Sequence, residues 1–181
     1  MSDNSKVTIH MVSSLDGFIA KGDGSVDWMH SEKHYEKGKV LKDEDIMQFL
    51  ASVDCYVMGS KTYETALQLG WPYGDKPVYV ATRRDLPVNT ESVHLFDEDL
   101  TGFMPPLRRR YQSIWMVGGA ALTRDFLRRQ LADELVVSIM PVLLGEGTLF
   151  FDFIGTEQRL HLKDSTAYSD GMVELTYRIL K

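Results

Sequence analysis

Three places in this chain put glycine, hydroxyl or cationic side chains where an apolar run gives way to a new pattern. In Ile114-Trp115-Met116-Val117-Gly118-Gly119-Ala120-Ala121, an apolar run ends in two glycines and helical spacing begins at once. Glycine lets backbone approach a ligand closely, and the free N–H groups of a first helical turn attract anions. Phosphate or pyrophosphate is the natural guest; a tight turn is the other reading. The pattern is neither the Gly-x-Gly-x-x-Gly fingerprint nor a phosphate loop ending in Gly-Lys-Ser/Thr. Val57-Met58-Gly59-Ser60-Lys61-Thr62-Tyr63 offers a glycine, two hydroxyls and a cation. Its alternative is a helix capped by Ser60 or Thr62 beside a solvated lysine. The run Val78-Tyr79-Val80-Ala81-Thr82 leads into Arg83-Arg84. Such a pair either grips a phosphate monoester by bidentate contacts or is ordinary surface charge. Ligands of open α/β sheets gather at the carboxyl ends of strands, so three such ends together outweigh each alone.

Other reactive side chains point nowhere definite. His10, His30, His34, His94 and His161 lack metal-ligand spacing except for His30 and His34, and nothing obvious completes a site for that pair. No metal is expected. The single cysteine, Cys55, lies in the apolar run Cys55-Tyr56-Val57-Met58 and reads as a small buried residue.

The elements that must position these residues follow from periodicity. Strands are expected over residues 7–12, 55–58, 77–82, 92–96, 113–117 and 133–144, with two more over about 160–168 and 173–180. Helices are expected over 43–53, 61–69 and 120–130, and Met104-Pro105-Pro106 reads as the start of a short one. Ser169-Asp170-Gly171 suits the turn of a closing hairpin. Strands alternating with helices imply an α/β fold with a mostly parallel central sheet, flanking helices and a C-terminal antiparallel hairpin. Nothing marks an internal repeat or a boundary, so residues 1–181 read as one domain.

Composition bounds the function. The net charge is −6, which argues against a nucleic-acid surface, since phosphate binding needs clustered cations. The basic runs Arg108-Arg109-Arg110 and Arg128-Arg129 read as solvated helix faces. The longest apolar stretch, residues 135–144, is too short to span a membrane. The polar first residues have no signal-peptide core, so a cytoplasmic protein is expected.

In order, Met58-Gly59-x-x-Thr62-Tyr63, a strand ending at Thr82-Arg83, and Val117-Gly118-Gly119-Ala120 resemble the dihydrofolate reductase superfamily. The segments Ser14-Leu15-Asp16-Gly17 and Pro141-Val142-Leu143-Leu144-Gly145-Glu146-Gly147 resemble its riboflavin-biosynthesis reductase branch. The resemblance covers roughly residues 7–151.

It implies an NADPH-dependent oxidoreductase with the dihydrofolate-reductase-like fold, acting on a pyrimidine- or pterin-like heterocycle. Gly118, Gly119, Ala120 and Ala121 would cradle the pyrophosphate, and Gly59, Ser60, Lys61 and Thr62 would line the cofactor's other side. Thr82 and Arg83 would meet the adenosine 2′-phosphate, and Ala20 would lie near the nicotinamide. A proton must reach the reduced heteroatom, and a carboxylic acid with a raised pKa can supply it. The candidates are Asp16, Asp27 and Glu32, with Asp16 matching the branch and also suiting a plain turn. Trp28 matches the tryptophan that precedes the carboxylate in dihydrofolate reductases. The residues after it, Met29-His30-Ser31-Glu32, depart from that pattern and weaken folate as the substrate. Trp28 is a pocket wall or core. The zinc motif of the deaminase that often accompanies this reductase is missing from this sequence. Members of the branch are often homodimers. The alternative from another class is a nucleotide-binding protein without turnover.

Overall fold

Along Lys6–Ser14, the first strand (β1), Val7, Ile9, Met11 and Ser13 are buried while Thr8, His10 and Val12 are half-covered. That period of two lays one row of side chains on each face of a sheet. The computed structural model describes residues 5–31, 34–88 and 90–181. After β1 come β2 (Phe18–Ala20), a 3-10 turn (Asp27–Met29), α1 (Asp43–Ser52), β3 (Cys55–Gly59) and α2 (Ser60–Gln68). Next are β4 (Val78–Ala81), β5 (Val93–Phe96), α3 (Leu100–Arg110), β6 (Ser113–Gly118) and α4 (Ala120–Arg128). The chain closes with β7 (Glu134–Met140), β8 (Thr148–Leu149), β9 (Leu160–Ala167) and β10 (Val173–Ile179).

Eight strands form one sheet in the order β5-β4-β3-β6-β1-β7-β10-β9. The first six are parallel, and β10 returns antiparallel between β7 and β9. The expected α/β class, parallel sheet and terminal hairpin are therefore present. On one face Val7, Ile9 and Met116 pack against Met104 and Leu107 of α3 and Phe126 and Leu127 of α4. Phe126 is fully buried, and emptying such a site costs about 3–5 kcal/mol. On the other face Tyr56, Met58, Val78 and Val80 pack with Tyr63 and Ala66 of α2. Cys55 is fully buried at the start of β3. Among the described residues, no helix is long and apolar enough to cross a membrane.

Four local expectations change. The strand expected over 133–144 stops at Met140, because Pro141 has no N–H for the ladder. α3 starts before the two prolines, at Leu100, where the Asp99 carboxylate accepts from Thr101 N. Pro105 and Pro106 thus sit inside the helix, held there by burial of Leu100, Met104 and Leu107. Arg108 is no solvated face. Its guanidinium donates to the Ser5 and Leu131 carbonyls and to Asp133, at 3.1, 2.7 and 2.7 Å. Lastly, α1 forms where its spacing placed it but buries none of its residues, and Met47 stays 70% exposed.

Candidate functional site

Parallel pairing brings the ends of β3 and β6 side by side. Met58 pairs with Gly118, so Gly59 and Gly118-Gly119 meet at the carboxyl edge. A Cβ at Gly59 would sit 3.7 Å from the Gly118 oxygen and the Gly119 nitrogen. A Cβ at Gly119 would meet the Thr62 hydroxyl at 3.4 Å. Gly118 has φ +133, a region suited to glycine, and its peptide bond to Gly119 is cis.

Each glycine corner opens a helix. α2 follows Gly59 and α4 follows Gly119, and neither helix has a side-chain cap. Ser60 and Thr62 therefore leave the capping role unfilled. The first helical bond of α4 runs from Thr123 N to the Gly119 oxygen, so the amides of Ala120 and Ala121 remain for a ligand. Two helix N-termini with uncapped amides flank one glycine corner, which is an arrangement that favours an anion.

Beside it lies a cleft of 560 Å³, lined by Ser60, Ala81, Thr82, Arg83, Arg84, Asp97, Asp99, Asp125 and Arg129 among others. Arg84 is committed to Glu64 at 2.7 Å, a fork that holds the Glu64 carboxyl below its usual range. Its backbone N donates to Thr82 Oγ1 at 2.9 Å. Arg129 pairs with Asp99 at 2.9 Å. Arg83 is exposed on this cleft and forms no ion pair among the described residues. The acidic share of the lining joins the consecutive run Asp97-Glu98-Asp99, between β5 and α3, to Asp125 of α4; the run itself stands in the sequence, but its nearness to Arg83 and Asp125 does not.

The candidate carboxylates sit elsewhere. Asp16 accepts from Ser14 Oγ at 2.6 Å, from Leu144 N at 3.1 Å and from Gly145 N at 2.8 Å. The Ser14 hydroxyl, with the two amides behind it, holds the Asp16 carboxyl below its ordinary value. Asp16 thus ties the β1 turn to the loop after β7. Asp27 is exposed and paired with Lys21 at 2.8 Å, which lowers its pKa as well. A proton donor needs the opposite shift. Glu32 lies outside the described residues. Ala20 pairs with Thr148 in a small ribbon of β2 and β8, and a side chain at Gly147 would run into the Ala20 carbonyl. Trp28 is buried against Met140, Tyr168 and Met172, and its indole N–H has no partner among the described residues.

Sequence reasoning passed over a polar row on the sheet face opposite α3 and α4. His10, Ser138 and Glu174 come from β1, β7 and β10. Pairing sets Val12 beside Ser138 and Ser138 beside Glu174, with His10 on the same face one step back along β1. His10 Nε2 lies 3.1 Å from Ser138 Oγ, which donates to Glu174 Oε2 at 3.0 Å. His10 beside it, helped by Ser138 and Tyr168, holds the Glu174 carboxyl below its usual range despite burial. The only sequence signal was that all three occupy the less apolar phase of their strands.

The RibD C-terminal domain family matches residues 5–174. The chain belongs to that family. Its relative YwjB of Bacillus subtilis, a protein of uncharacterised function, is 34% identical across 95% of this chain and 97% of its own. A protein of Shewanella sp. PV-4, provisionally named for riboflavin biosynthesis, superposes with a TM-score of 0.83 at 26% identity. That match covers 97% of this chain and 99% of the other. The Thermotoga maritima deaminase/5-amino-6-(5-phosphoribosylamino)uracil reductase superposes with a TM-score of 0.69 at 16% identity. The overlap takes in 97% of this chain and 57% of the Thermotoga one, which shows a shared fold. Family membership gives this chain a domain of the RibD C-terminal type.

Proposed function

We propose that the chain is an NADPH-dependent reductase of a small nitrogen heterocycle, of pyrimidine or pterin type. The observation that carries this reading is the pair of uncapped helix N-termini flanking Gly59 and Gly118-Gly119. The glycines leave the amides of Ser60, Lys61 and Thr62, and those of Ala120 and Ala121, without Cβ cover, so a pyrophosphate fits. Thr82 and Arg83, with Ser60 and Lys61, would hold a 2′-phosphate and favour NADPH over NADH. Bound there, the dinucleotide supplies a hydride. Ala20 would flank the nicotinamide and Trp28 would wall the substrate side.

The chain's own part is to orient the substrate, exclude water and hold a proton for the heteroatom. Asp16 and Asp27 are held ionised, so each would have to lose partners before donating one. That observation keeps a second reading in play, a nucleotide-binding protein without turnover.

Titration with NADPH and NADH, followed by tryptophan fluorescence and melting temperature, tests the site. A ligand at a hundred times its dissociation constant stabilises the fold by about 2.7 kcal/mol, a shift of several degrees. NADPH is expected to bind much more tightly than NADH. No response to either would remove the reductase reading, and NADPH oxidation with pterin or pyrimidine substrates separates it from the second one. The partner we infer is a second copy of this chain, covering Phe153 and Leu162, which are 77% and 51% exposed. Light scattering at micromolar concentration should give the dimer mass; a monomer mass would refute it.

A further inference from the structure

The row His10–Ser138–Glu174 has a directional order that fixes one atom's role. A carboxylate accepts only, so the Ser138 hydroxyl points its proton at Glu174 Oε2, 3.0 Å away. Ser138 Oγ is then left to accept, and the donor facing it at 3.1 Å is His10 Nε2–H. Glu174 Oε2, 3.5 Å from the same nitrogen, supports that proton position. In the neutral ring the tautomer is thereby set, and Nδ1 carries the lone pair.

That nitrogen is buried with no hydrogen-bond partner among the described residues. Leaving such an atom unmet is unfavourable, so a donor that reaches it is favoured. Its neighbours are aromatic. The Phe49 ring lies edge-on at 5.3 Å and the Trp115 ring at 5.4 Å, and the Trp115 N–H is already used on the His10 carbonyl. Phe49 belongs to α1, the helix that buries none of its own residues. An acceptor under an aromatic cover on a loosely seated helix suits a flat ring bearing an N–H donor.

We propose that His10 Nδ1 is the substrate-recognition atom of this protein and accepts from the amino or ring N–H of a planar amino-substituted nitrogen heterocycle. Ser138 and Glu174 are positioning residues that set the tautomer, and Phe49 gives way so that the guest stacks where it lay. The proposal rests on the reductase reading for the guest's later fate, but its binding step needs no dinucleotide.

The test uses the full chain with 15N-labelled histidine and 2,4-diaminopyrimidine as probe, without nucleotide. The His10 Nδ1 resonance should start as an unprotonated imidazole nitrogen and move as the probe saturates. His10→Phe keeps an aromatic ring without the acceptor; it should bind the probe at least tenfold more weakly and NADPH within twofold of the parent. Ser138→Ala, which leaves the imidazole in place, should mix the two tautomers and weaken the probe several-fold. A stationary His10 signal, unweakened binding by His10→Phe, or no binding at millimolar probe overturns the proposal. The parent titration stands even if a variant fails to fold. Loss of NADPH binding with a probe-shifted His10 would sink the reductase reading and leave this one intact.

Discussion

An alanine at position 119 would meet the Thr62 hydroxyl at ordinary contact distance, from a backbone with φ −92. At position 118 it would meet the Met11 side chain at 3.0 Å from a backbone with φ +133. Gly118→Ala should therefore lower stability in urea denaturation by about 1–3 kcal/mol. Gly119→Ala should unfold like the parent yet bind NADPH at least tenfold more weakly, about 1.4 kcal/mol, because its methyl fills the space beside Thr62 that a pyrophosphate would enter. Equal NADPH affinity in Gly119→Ala would move the pyrophosphate elsewhere. Asp16 calls for a different contrast. Asparagine there keeps one acceptor and turns an N–H toward a backbone amide, so the β1 turn and the 144–145 loop should loosen together. Asp16→Asn is expected to lower melting temperature and turnover in step. A variant that melts like the parent while losing all turnover would instead mark Asp16 as the proton donor.

Among the elements, α1 depends most on one distant side chain. Lys76 Nζ, at the entry to β4, donates to the carbonyls of Leu50 at 2.7 Å, Ala51 at 3.0 Å and Val53. It satisfies the exposed C-terminal oxygens of a helix that contributes little to the core. Lys76→Met should cost about 1–2 kcal/mol and speed hydrogen exchange in α1 far more than in β3 or β6; uniform exchange would refute the tie. The same elements show what the sequence could and could not reveal. β1, β3 and β6 were legible because apolar runs meet glycine at their ends, and the glycine corners came with them. α1 was legible as a helix, but its spacing of Ile46, Phe49 and Leu50 says nothing about whether a partner covers them. The β2–β8 ribbon was hidden, since strands of three and two residues exist only through each other. His10, Ser138 and Glu174 were hidden too, since strand periodicity assigns a face but no cross-strand partner until register is known. Asp16 was correctly a turn residue in type, while the amides it holds lie across the chain at residues 144 and 145.

For the molecule as a whole, charge at the amino edge of the sheet links folding to pH. Asp133 accepts from Val7 N at 2.9 Å, Arg108 at 2.7 Å and Lys181 at 2.8 Å. Glu134 meets Lys6 at 3.0 Å and also Lys163. Burial alone would raise both carboxyls, but these donors outweigh it and hold both below their ordinary values of 3.8 and 4.5. A depressed folded-state pKa gives stability above the unfolded value that is lost as pH falls through the folded one. The urea midpoint should therefore hold down to about pH 5 and drop as pH passes below the ordinary carboxylate range. Asp133→Asn should cost about 2 kcal/mol at neutral pH and flatten that drop, since Arg108 keeps only neutral acceptors. An unchanged acid limb would remove Asp133 from the account.

The lone thiol of Cys55 gives this chain a clock of its own. It is wholly buried in β3, and burial pushes its pKa up to about 12, so it is unreactive while the sheet is intact. β4 and β6 flank it on either side. An alkylating reagent can modify it only after β3 leaves its neighbours, and each modification counts one such opening. Any molecule that seats on the glycine corner at the end of β3 should slow that count in proportion to its occupancy.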